Sequence, residues 1–467
     1  MGWAMQVPSA CSPCARKPLS SRSTPICRNG LSISVMPEKN LSRLLIAPSV
    51  WQAGWPCKTV HSALLPFDSD VVVIGAGIGG LAAALQALDA GCSVTVLEAS
   101  QIGAGASGRN SGFVVPVPSR HTPQSLRQCL GDGAGHFARA LQHAGSDVLS
   151  WSGATSHQTG WMQPWANHCT PQLQAIAQGW QNLGIRVEMS NRKRMESDLG
   201  TAHYSAGLYY PEGGAVDPFA LVQTMANDVA SRGGRIVEDC PALQINPHAS
   251  HLGIITPLGE LKGNRVLVAG NAYGVEASRM TRRAVSPMAL ILATFDMTEV
   301  GPDVGVMPFS DNRKDMWFFR KLERSRVLTG CFALPLVQSV NQCSSLLKER
   351  LHTIYAKPPG ELEHLWAGWV GLTHDAMPAV DSPDERIISW SGCNGRGLAL
   401  STLMGRTLTD RLLGKDALKL PFSSSRYWHK GNVLGWLAQT LIAVDRYTQR
   451  RRAFTLFNRP SPSGATS

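Results

Sequence analysis

The chain of 467 residues has no apolar run of the length a bilayer-spanning helix needs, about 20 residues. The longest candidate, residues 433–444, is interrupted by Gly435, Gln439 and Thr440, so no transmembrane segment is expected. Residues 1–37 carry Arg16, Lys17, Arg22 and Arg28 but no acid, and no apolar core of a secretory signal. Pro8, Pro13, Pro18 and Pro25 would break an amphipathic presequence helix. Two readings of residues 1–35 remain: a plastid-like transit segment, or a disordered upstream extension with Met36 as the start. The second is favoured, and with it a cytoplasmic protein; the first would make it organellar.

A basic stripe on a folded face is also missing. The net charge of +11 comes almost wholly from residues 1–37 and from the tail 421–467, which holds Arg426, Lys430, Arg446, Arg450, Arg451, Arg452 and Arg459 against Asp445. Nucleic acid is therefore not an expected partner. The 11 cysteines are odd in number and mostly scattered. Cys92, Cys240 and Cys331 stand in apolar, strand-like contexts, which suits reduced thiols rather than a disulfide framework. Cys11 and Cys14 have no partner pair at zinc spacing, and no metal is expected.

What is present begins at Asp70-Val71-Val72-Val73-Ile74-Gly75-Ala76-Gly77-Ile78-Gly79-Gly80-Leu81. This reads as a buried parallel strand, a glycine turn and a helix over residues 81–90. Gly75 permits the turn, Gly77 lets a pyrophosphate approach the backbone, and Gly80 lets helix and strand pack closely. The helix N-terminus offers free N–H groups to phosphate. Val94-Thr95-Val96-Leu97 reads as the next strand and ends in Glu98, placed as a ribose-binding acid would be. Strand, glycines, helix, strand and acid in that order point to a dinucleotide.

Two further glycine loops bear on which dinucleotide. Gly103-Ala104-Gly105-Ala106-Ser107-Gly108-Arg109-Asn110-Ser111-Gly112-Phe113 directly follows the acid, where it can run beside the same cofactor. Far downstream a strand over 387–390 leads into Ser391-Gly392-Cys393-Asn394-Gly395-Arg396-Gly397-Leu398 and a helix over 398–413. One nicotinamide fold does not need that second cradle. A flavin dinucleotide does, because its ring lies far from its adenine. Between these loops, helices are expected over 137–151, 173–183 and 342–357. Asp217 reads as an N-cap with Pro218 at the first helical position. A hairpin covers 252–260, buried strand 265–271 follows it, and 317–320 and 326–330 read as β-segments.

In order and combination these residues resemble the D-amino-acid-oxidase-like (DAO) superfamily of FAD oxidoreductases, and within it the γ-glutamylputrescine oxidoreductase group. The likeness runs over about residues 46–450. It rests on the turn at 73–80, Leu97-Glu98-Ala99, the first glycine loop, Gly214 to Pro218, Val268-Ala269-Gly270, Gly371-Leu372-Thr373, Pro378 and the loop 392–397. The resemblance implies an α/β fold: a discontinuous Rossmann-like FAD-binding domain with a second α+β substrate domain built on an antiparallel sheet. The boundaries expected are an arm at 36–67; FAD-binding parts at 68–115, 211–284 and 363–420; substrate-domain parts at 116–210 and 285–362; and a C-terminal helix and basic tail at 421–467.

The resemblance also implies site roles. Gly75, Ala76, Gly77, Ile78, Gly79 and Gly80 would cradle the cofactor, with Glu98 and Ala99 at the adenosine ribose. Ser107, Gly108, Arg109, Asn110, Ser111 and Gly112 would line the pyrophosphate-to-flavin stretch. Ala242 would meet the adenine, with Ala269 and Gly270 nearby. Gly392, Gly395, Arg396, Gly397 and Leu398 would sit against the pyrimidine end of the flavin. There, N–H groups at the helix start and the Arg396 charge would stabilise the reduced ring. One branch ties its flavin to a cysteine where this chain has Gly368, and another to a histidine where it has Arg109, so FAD is expected to be non-covalent, with Cys393 the one exception to keep in view. The sarcosine branch clamps a substrate carboxylate with a lysine where this chain has Ala399.

The expected reaction is oxidation of the C–N bond of a small-molecule amine, such as a γ-glutamyl amine, by hydride transfer to flavin N5, with hydrolysis of the imine. Oxygen or a quinone would take the electrons. No side-chain base is assigned, and His374 and Asp375 are read as structural. Arg320 is a candidate for a substrate anion, or equally a salt bridge on the sheet. The alternatives are an FAD dehydrogenase of a hydroxy acid or polyol, and a non-catalytic FAD-binding or scaffold protein. The segment 434–442 with Arg450 to Arg452 reads as a packed helix with a solvated basic end, with peripheral membrane contact as its alternative.

Overall fold

The valine run of strand Asp68–Ile74 is almost wholly buried, as a central parallel strand requires. It pairs in parallel with Val94–Leu97 on one side, Val71 opposite Val94, and with Gly259–Val268 on the other, Val71 opposite Arg265. A computed structural model describes residues 38–53, 65–66, 68–156, 160–166, 170–273, 284–299, 305–334, 339–415, 417–418 and 437–449. All belong to one unit, Val35–Ser467. The extension expected over residues 1–35 and the cluster Arg450 to Arg452 lie outside the described residues.

The first sheet has the order Ala379–Asp384, Ile387–Ser391, Gly259–Val268, Asp68–Ile74, Val94–Leu97, Arg235–Val237, with the hairpin Gln244–Pro247 and Leu252–Thr256 branching from Gly259–Val268. The second has the order Leu362–Leu372, Ser286–Asp296, Arg326–Phe332, Phe318–Lys321, Phe309–Ser310, Trp161–Pro164, Ala206–Tyr210, Glu188–Asn191. Its pairings are antiparallel except that between Phe309–Ser310 and Trp161–Pro164. A parallel α/β sheet thus stands beside a mainly antiparallel one. Leu362–Leu372 runs in the second sheet beside Ser286–Asp296, although a boundary at 363 assigns it to the first.

The capping residues set the helix starts. Asp217 Oδ1 accepts from the N–H groups of Phe219 at 2.9 Å and Ala220 at 3.0 Å, and Pro218 opens Pro218–Ser231. Ser339 and Gln342 form a capping box for Val340–Tyr355. The first crossover helix begins at Ile78, not at 81, and ends at Asp89. Gly79 and Gly80 are therefore inside its first turn.

The helices of residues 123–181 pack differently from the expectation that they belong to a second domain. Phe137, Leu141 and Val148 of Gly133–Ser152 and Leu173 and Trp180 of Thr170–Gln181 share one buried cluster with Val71, Leu81 and Leu403. Small residues allow this approach: a Cβ on Gly145 would stand 3.3 Å from Val114 Cγ1 and 3.7 Å from Ala399 Cβ, ordinary or slightly tight contact. The helix Val340–Tyr355 covers the second sheet with Leu346, Leu347 and Leu351.

The helix at residues 437–449 turns Ile442 into a cluster with Leu334 and Val370, and leaves Leu437, Leu441, Val444 and Tyr447 exposed. Among the described residues no helix is long and apolar enough to cross a membrane.

Candidate functional site

The first turn is built by one glycine conformation and a carboxylate. Gly75 holds φ +103°, open to glycine without a Cβ penalty. Its N–H donates to Leu97 O at 2.8 Å. Glu98 Oε2 accepts from Ala76 N–H at 2.8 Å, and Oε1 accepts from Ser100 N–H at 3.0 Å. Burial pushes the Glu98 carboxyl above its ordinary pKa, while those two N–H groups pull it down. A Cβ on Gly77 would stand 2.8 Å from Ser107 Oγ, which itself accepts from Ile78 N–H at 3.1 Å. Ser107 from the next loop thus satisfies a helix N-terminus whose own N-cap, Gly77, has no side chain.

Above this turn lies a cavity of about 910 Å³, near the upper end of the roughly 300–1,000 Å³ typical of ligand sites. Gly75, Ala76, Gly77, Gly79, Glu98, Ala99, Ser107, Arg109, Ala242, Ala269 and Gly270 all line it. The structure brings these sequence-predicted residues into one place. Ile78, Gly80 and Gly108 serve packing: Ile78 is buried, and Cβ atoms on Gly80 and Gly108 would overlap the carbonyl oxygens of Gly75 and Gly103.

The rest of the first loop is tied to itself and to its supports. Asn110 Nδ2 donates to Ala106 O at 3.0 Å and Ser107 O at 2.8 Å, while its Oδ1 accepts from Gly112 N–H at 2.7 Å. Arg109 lines the cavity, yet its guanidinium is committed elsewhere. It donates to Ala367 O and Gln52 Oε1 at 3.1 Å, and to Leu44 O at 3.1 Å and Ala47 O at 2.7 Å. Trp51 Nε1 donates to Asn110 O at 2.8 Å. The arm is thereby drawn over the cavity, where Leu45, Ile46, Pro48 and Gln52 join the wall.

Arg320 is buried and donates to Ser111 O at 3.0 Å and Val216 O at 2.7 Å, with its guanidinium 5.0 Å from the Trp51 ring. Burial lowers its pKa to about 10, and the charge of Asp217 opposes the fall. The placement makes it a strut beneath the first loop.

The second loop is pinned by two asparagines. Asn271 Oδ1 accepts from Gly392 N–H at 2.9 Å, and Asn271 Nδ2 donates to Cys393 Sγ at 3.1 Å. Asn394 N–H donates to Gly371 O at 2.9 Å, Asn394 Oδ1 accepts from Thr373 N–H at 2.9 Å, and its Nδ2 donates to Gly392 O at 2.8 Å. Gly392, Gly395, Arg396, Gly397 and Leu398 are not in the wall of the cavity, which reaches their strand and helix through Trp390 and Ser401. Arg396 donates to Val117 O at 3.2 Å and Pro118 O at 2.9 Å and stands 5.1 Å from the Trp161 ring. Burial lowers its pKa to about 10. Asp375 bonds within its own turn, Oδ1 to Met377 N–H at 3.2 Å, and its carbonyl oxygen lies 2.9 Å from His121 Nε2.

Sequence reasoning did not single out Gln52, Asn271, Tyr273, Asn394 or Ser401. Tyr273 Oη accepts from Trp369 N–H at 3.0 Å, and its ring lies 3.7 Å from where a Gly105 Cβ would stand. It therefore bridges the first loop and strand Leu362–Leu372. Asn271 and Asn394 do carry a signal: each follows a strand and holds positive φ, +44° and +53°, a conformation in which asparagine is enriched.

A glycine-built turn, an acid after the second strand and the cavity above them define a dinucleotide-binding α/β protein. The fit is physical as well as topological: Cβ atoms at Gly75 and Gly77 would crowd Ala269 O and Ser107 Oγ at the cavity wall. The chain belongs to the DAO family, whose model, described as FAD dependent oxidoreductase, matches residues 70–411. It is an FAD-dependent oxidoreductase. It is 25% identical over 364 residues to the probable oxidoreductase OrdL of Rhizobium meliloti, covering 74% of this chain and 84% of that protein. It is also 25% identical over 369 residues to the γ-glutamylputrescine oxidoreductase of Escherichia coli, covering 75% of this chain and 86% of that protein. Among solved structures, L-proline dehydrogenase from P. horikoshii shares the fold at TM-score 0.65, with 18% identity over 78% of this chain and 98% of that one. Glycine oxidase from Geobacillus kaustophilus does so at 0.62, with 18% identity over 75% and 96%.

Proposed function

We propose that this oxidoreductase acts on the C–N bond of an amine or amino-acid-derived substrate of the γ-glutamyl amine kind. The observation that carries this reading is Ala399. It is buried, its Cβ faces Gly145 of the neighbouring helix, and it offers no cation to a substrate α-carboxylate. A substrate whose anionic group lies further from its reacting carbon needs no cation at this position. The γ-glutamylputrescine oxidoreductase among the relatives supports the same class.

FAD, when bound, supplies the two-electron acceptor for the substrate's α-carbon hydride. The chain's own residues then hold and exclude. Glu98 and the N–H groups of the first turn would hold the adenosine and pyrophosphate end. The loop pinned by Asn271 and Asn394 would hold the pyrimidine end with the N-terminus of Gly397–Leu412. The arm, fastened by Arg109, would exclude water over the first loop. In this reading FAD is non-covalent: Gly368 has no side chain to attach, and Cys393 Sγ already accepts from Asn271. The acceptor is oxygen or a quinone. The exposed Leu437, Leu441, Val444 and Tyr447 support a peripheral membrane contact, which co-sedimentation with anionic vesicles would check.

The deciding experiment is anaerobic bleaching of the protein's flavin by γ-glutamyl amines, D-amino acids, secondary amines and hydroxy acids. Bleaching by γ-glutamyl amines is expected. Bleaching by hydroxy acids alone would move the protein to the dehydrogenase alternative, and a yellow protein that no substrate bleaches would make it non-catalytic.

A further inference from the structure

At the tip of the hairpin that branches from the first sheet, Gln244–Pro247 runs antiparallel to Leu252–Thr256, with Leu252 opposite Pro247. The turn is closed by His248 N–H donating to His251 O at 2.8 Å. It brings two imidazole rings together, with centroids 4.7 Å apart and planes 24° apart. On the adjoining strand Glu260 stands opposite Ile255. One ligand atom from each of His248, His251 and Glu260 lies within 4.8 Å of the other two.

Gly253 explains how these groups converge. It lies in a strand interior, where glycine weakens pairing, and it is not among the residues with positive φ. A Cβ there would overlap Glu260 Oε1 and stand 3.2 Å from His248 Nε2. The missing side chain clears the space into which a carboxylate oxygen and an imidazole nitrogen both point. The third group is oriented too: His251 Nδ1 lies 3.1 Å from Ser250 Oγ, and in the tautomer that donates Nδ1–H to this hydroxyl, Nε2 is left for an ion, as with outer partners of metal-bound histidines. Arg386 donates to His248 O at 2.9 Å, and its charge is matched by Asp384 at 2.8 Å.

We propose that His248, His251 and Glu260 bind a divalent transition cation of the zinc class. Two imidazoles and one carboxylate are the donor set of open three-ligand zinc sites, and imidazole favours zinc, copper and nickel over magnesium and calcium. Bonds of about 2.0–2.2 Å bring tetrahedral ligand atoms to roughly 3.5 Å from one another. The exposed side chains of His248 and Glu260 therefore close inward on the ion. No metal is expected from sequence because the proposed ligands come from a turn and from the next strand, in no spacing that reads as a motif.

The test uses the full-length flavoprotein, stripped with chelator and titrated with zinc by calorimetry, with thermal melts at each end point. One saturable zinc per chain and a higher Tm with zinc are expected. H248A/H251A and E260Q should each weaken zinc binding by at least about tenfold, keep the flavin spectrum, and lose the zinc-dependent rise in Tm. H364A should bind zinc as the wild type does. No saturable zinc uptake by the wild type, or undiminished uptake by both H248A/H251A and E260Q, would overturn the assignment.

Discussion

A Cβ added to Gly405 would overlap the carbonyl oxygen of Gly79 and lie 3.0 Å from Ala83 N. The helices Ile78–Asp89 and Gly397–Leu412 therefore meet backbone to backbone, with Gln86 Nε2 donating to Asp410 Oδ1 at 2.8 Å alongside. The first of these helices starts at the glycine turn 75–80 and the second at the loop 391–398, so this contact sets the spacing between turn and loop. Gly405→Ala should destabilise the protein by about 1–3 kcal/mol, the usual cost of overpacking. It should also speed flavin release, read by absorbance after dilution. Unchanged melting and release would show that the two helices separate freely.

Glu98 gives a pH signature. Burial raises its pKa above the ordinary 4.5. The stability it contributes is then present below the unfolded value and lost as pH rises through the folded one. In flavin-free protein, Glu98→Gln should gain stability relative to the wild type as pH climbs from about 4.5 towards neutrality. Paired urea unfolding curves across that window check this, and parallel pH profiles for the two proteins would refute it.

Asp315 is fully buried between Arg350 and Arg446, with Arg446 Nε at 2.6 Å and Nη2 at 3.0 Å. Among the described residues, Arg350 Nε and Arg446 Nη1 have no hydrogen-bond partner. Asp315→Ala leaves two buried guanidiniums without their carboxylate, which costs about 3–5 kcal/mol. Denaturation should show that loss, and proteolysis should reach the segment 437–449 sooner, because Arg446 anchors it. Arg446→Met should cost less, since it removes a charge instead of stranding one.

Asn394 separates backbone strain from hydrogen bonding. It holds φ +53° and ties Thr373 to Gly392 through its side chain. Asn394→Gly keeps the conformation and loses the bonds, whereas Asn394→Ala loses both. The alanine variant should be the less stable by roughly 1–2 kcal/mol, and both should bind FAD more weakly than the wild type. Equal stability of the two variants would remove the strain from the account.

The local grammar of the first half of the site is written in adjacent residues. Valines, glycines and Glu98 within some thirty positions specify a strand, a turn and an acid, because the contacts they make are near in sequence. The N-cap at Asp217 and the hairpin at 252–260 were legible for the same reason. Arg109 and Arg320 were not: their partners, Leu44 O, Ala47 O and Val216 O, are backbone carbonyls, which any residue could supply. Nothing in a run of residues marks such a carbonyl as the one an arginine will find.

The sequence alone determined the dinucleotide cradle, the two further glycine loops and the family likeness, since each rests on side chains or their absence at fixed short spacings. Only the tertiary structure decided that helix Gly133–Ser152 packs into the first core and that strand Leu362–Leu372 pairs in the second sheet. It also decided that His248, His251 and Glu260 meet over Gly253. The physical reason is the same in each case. An apolar helix face, a β-rich strand or an imidazole states what it can contact, and the closing of the chain chooses among the partners that satisfy it.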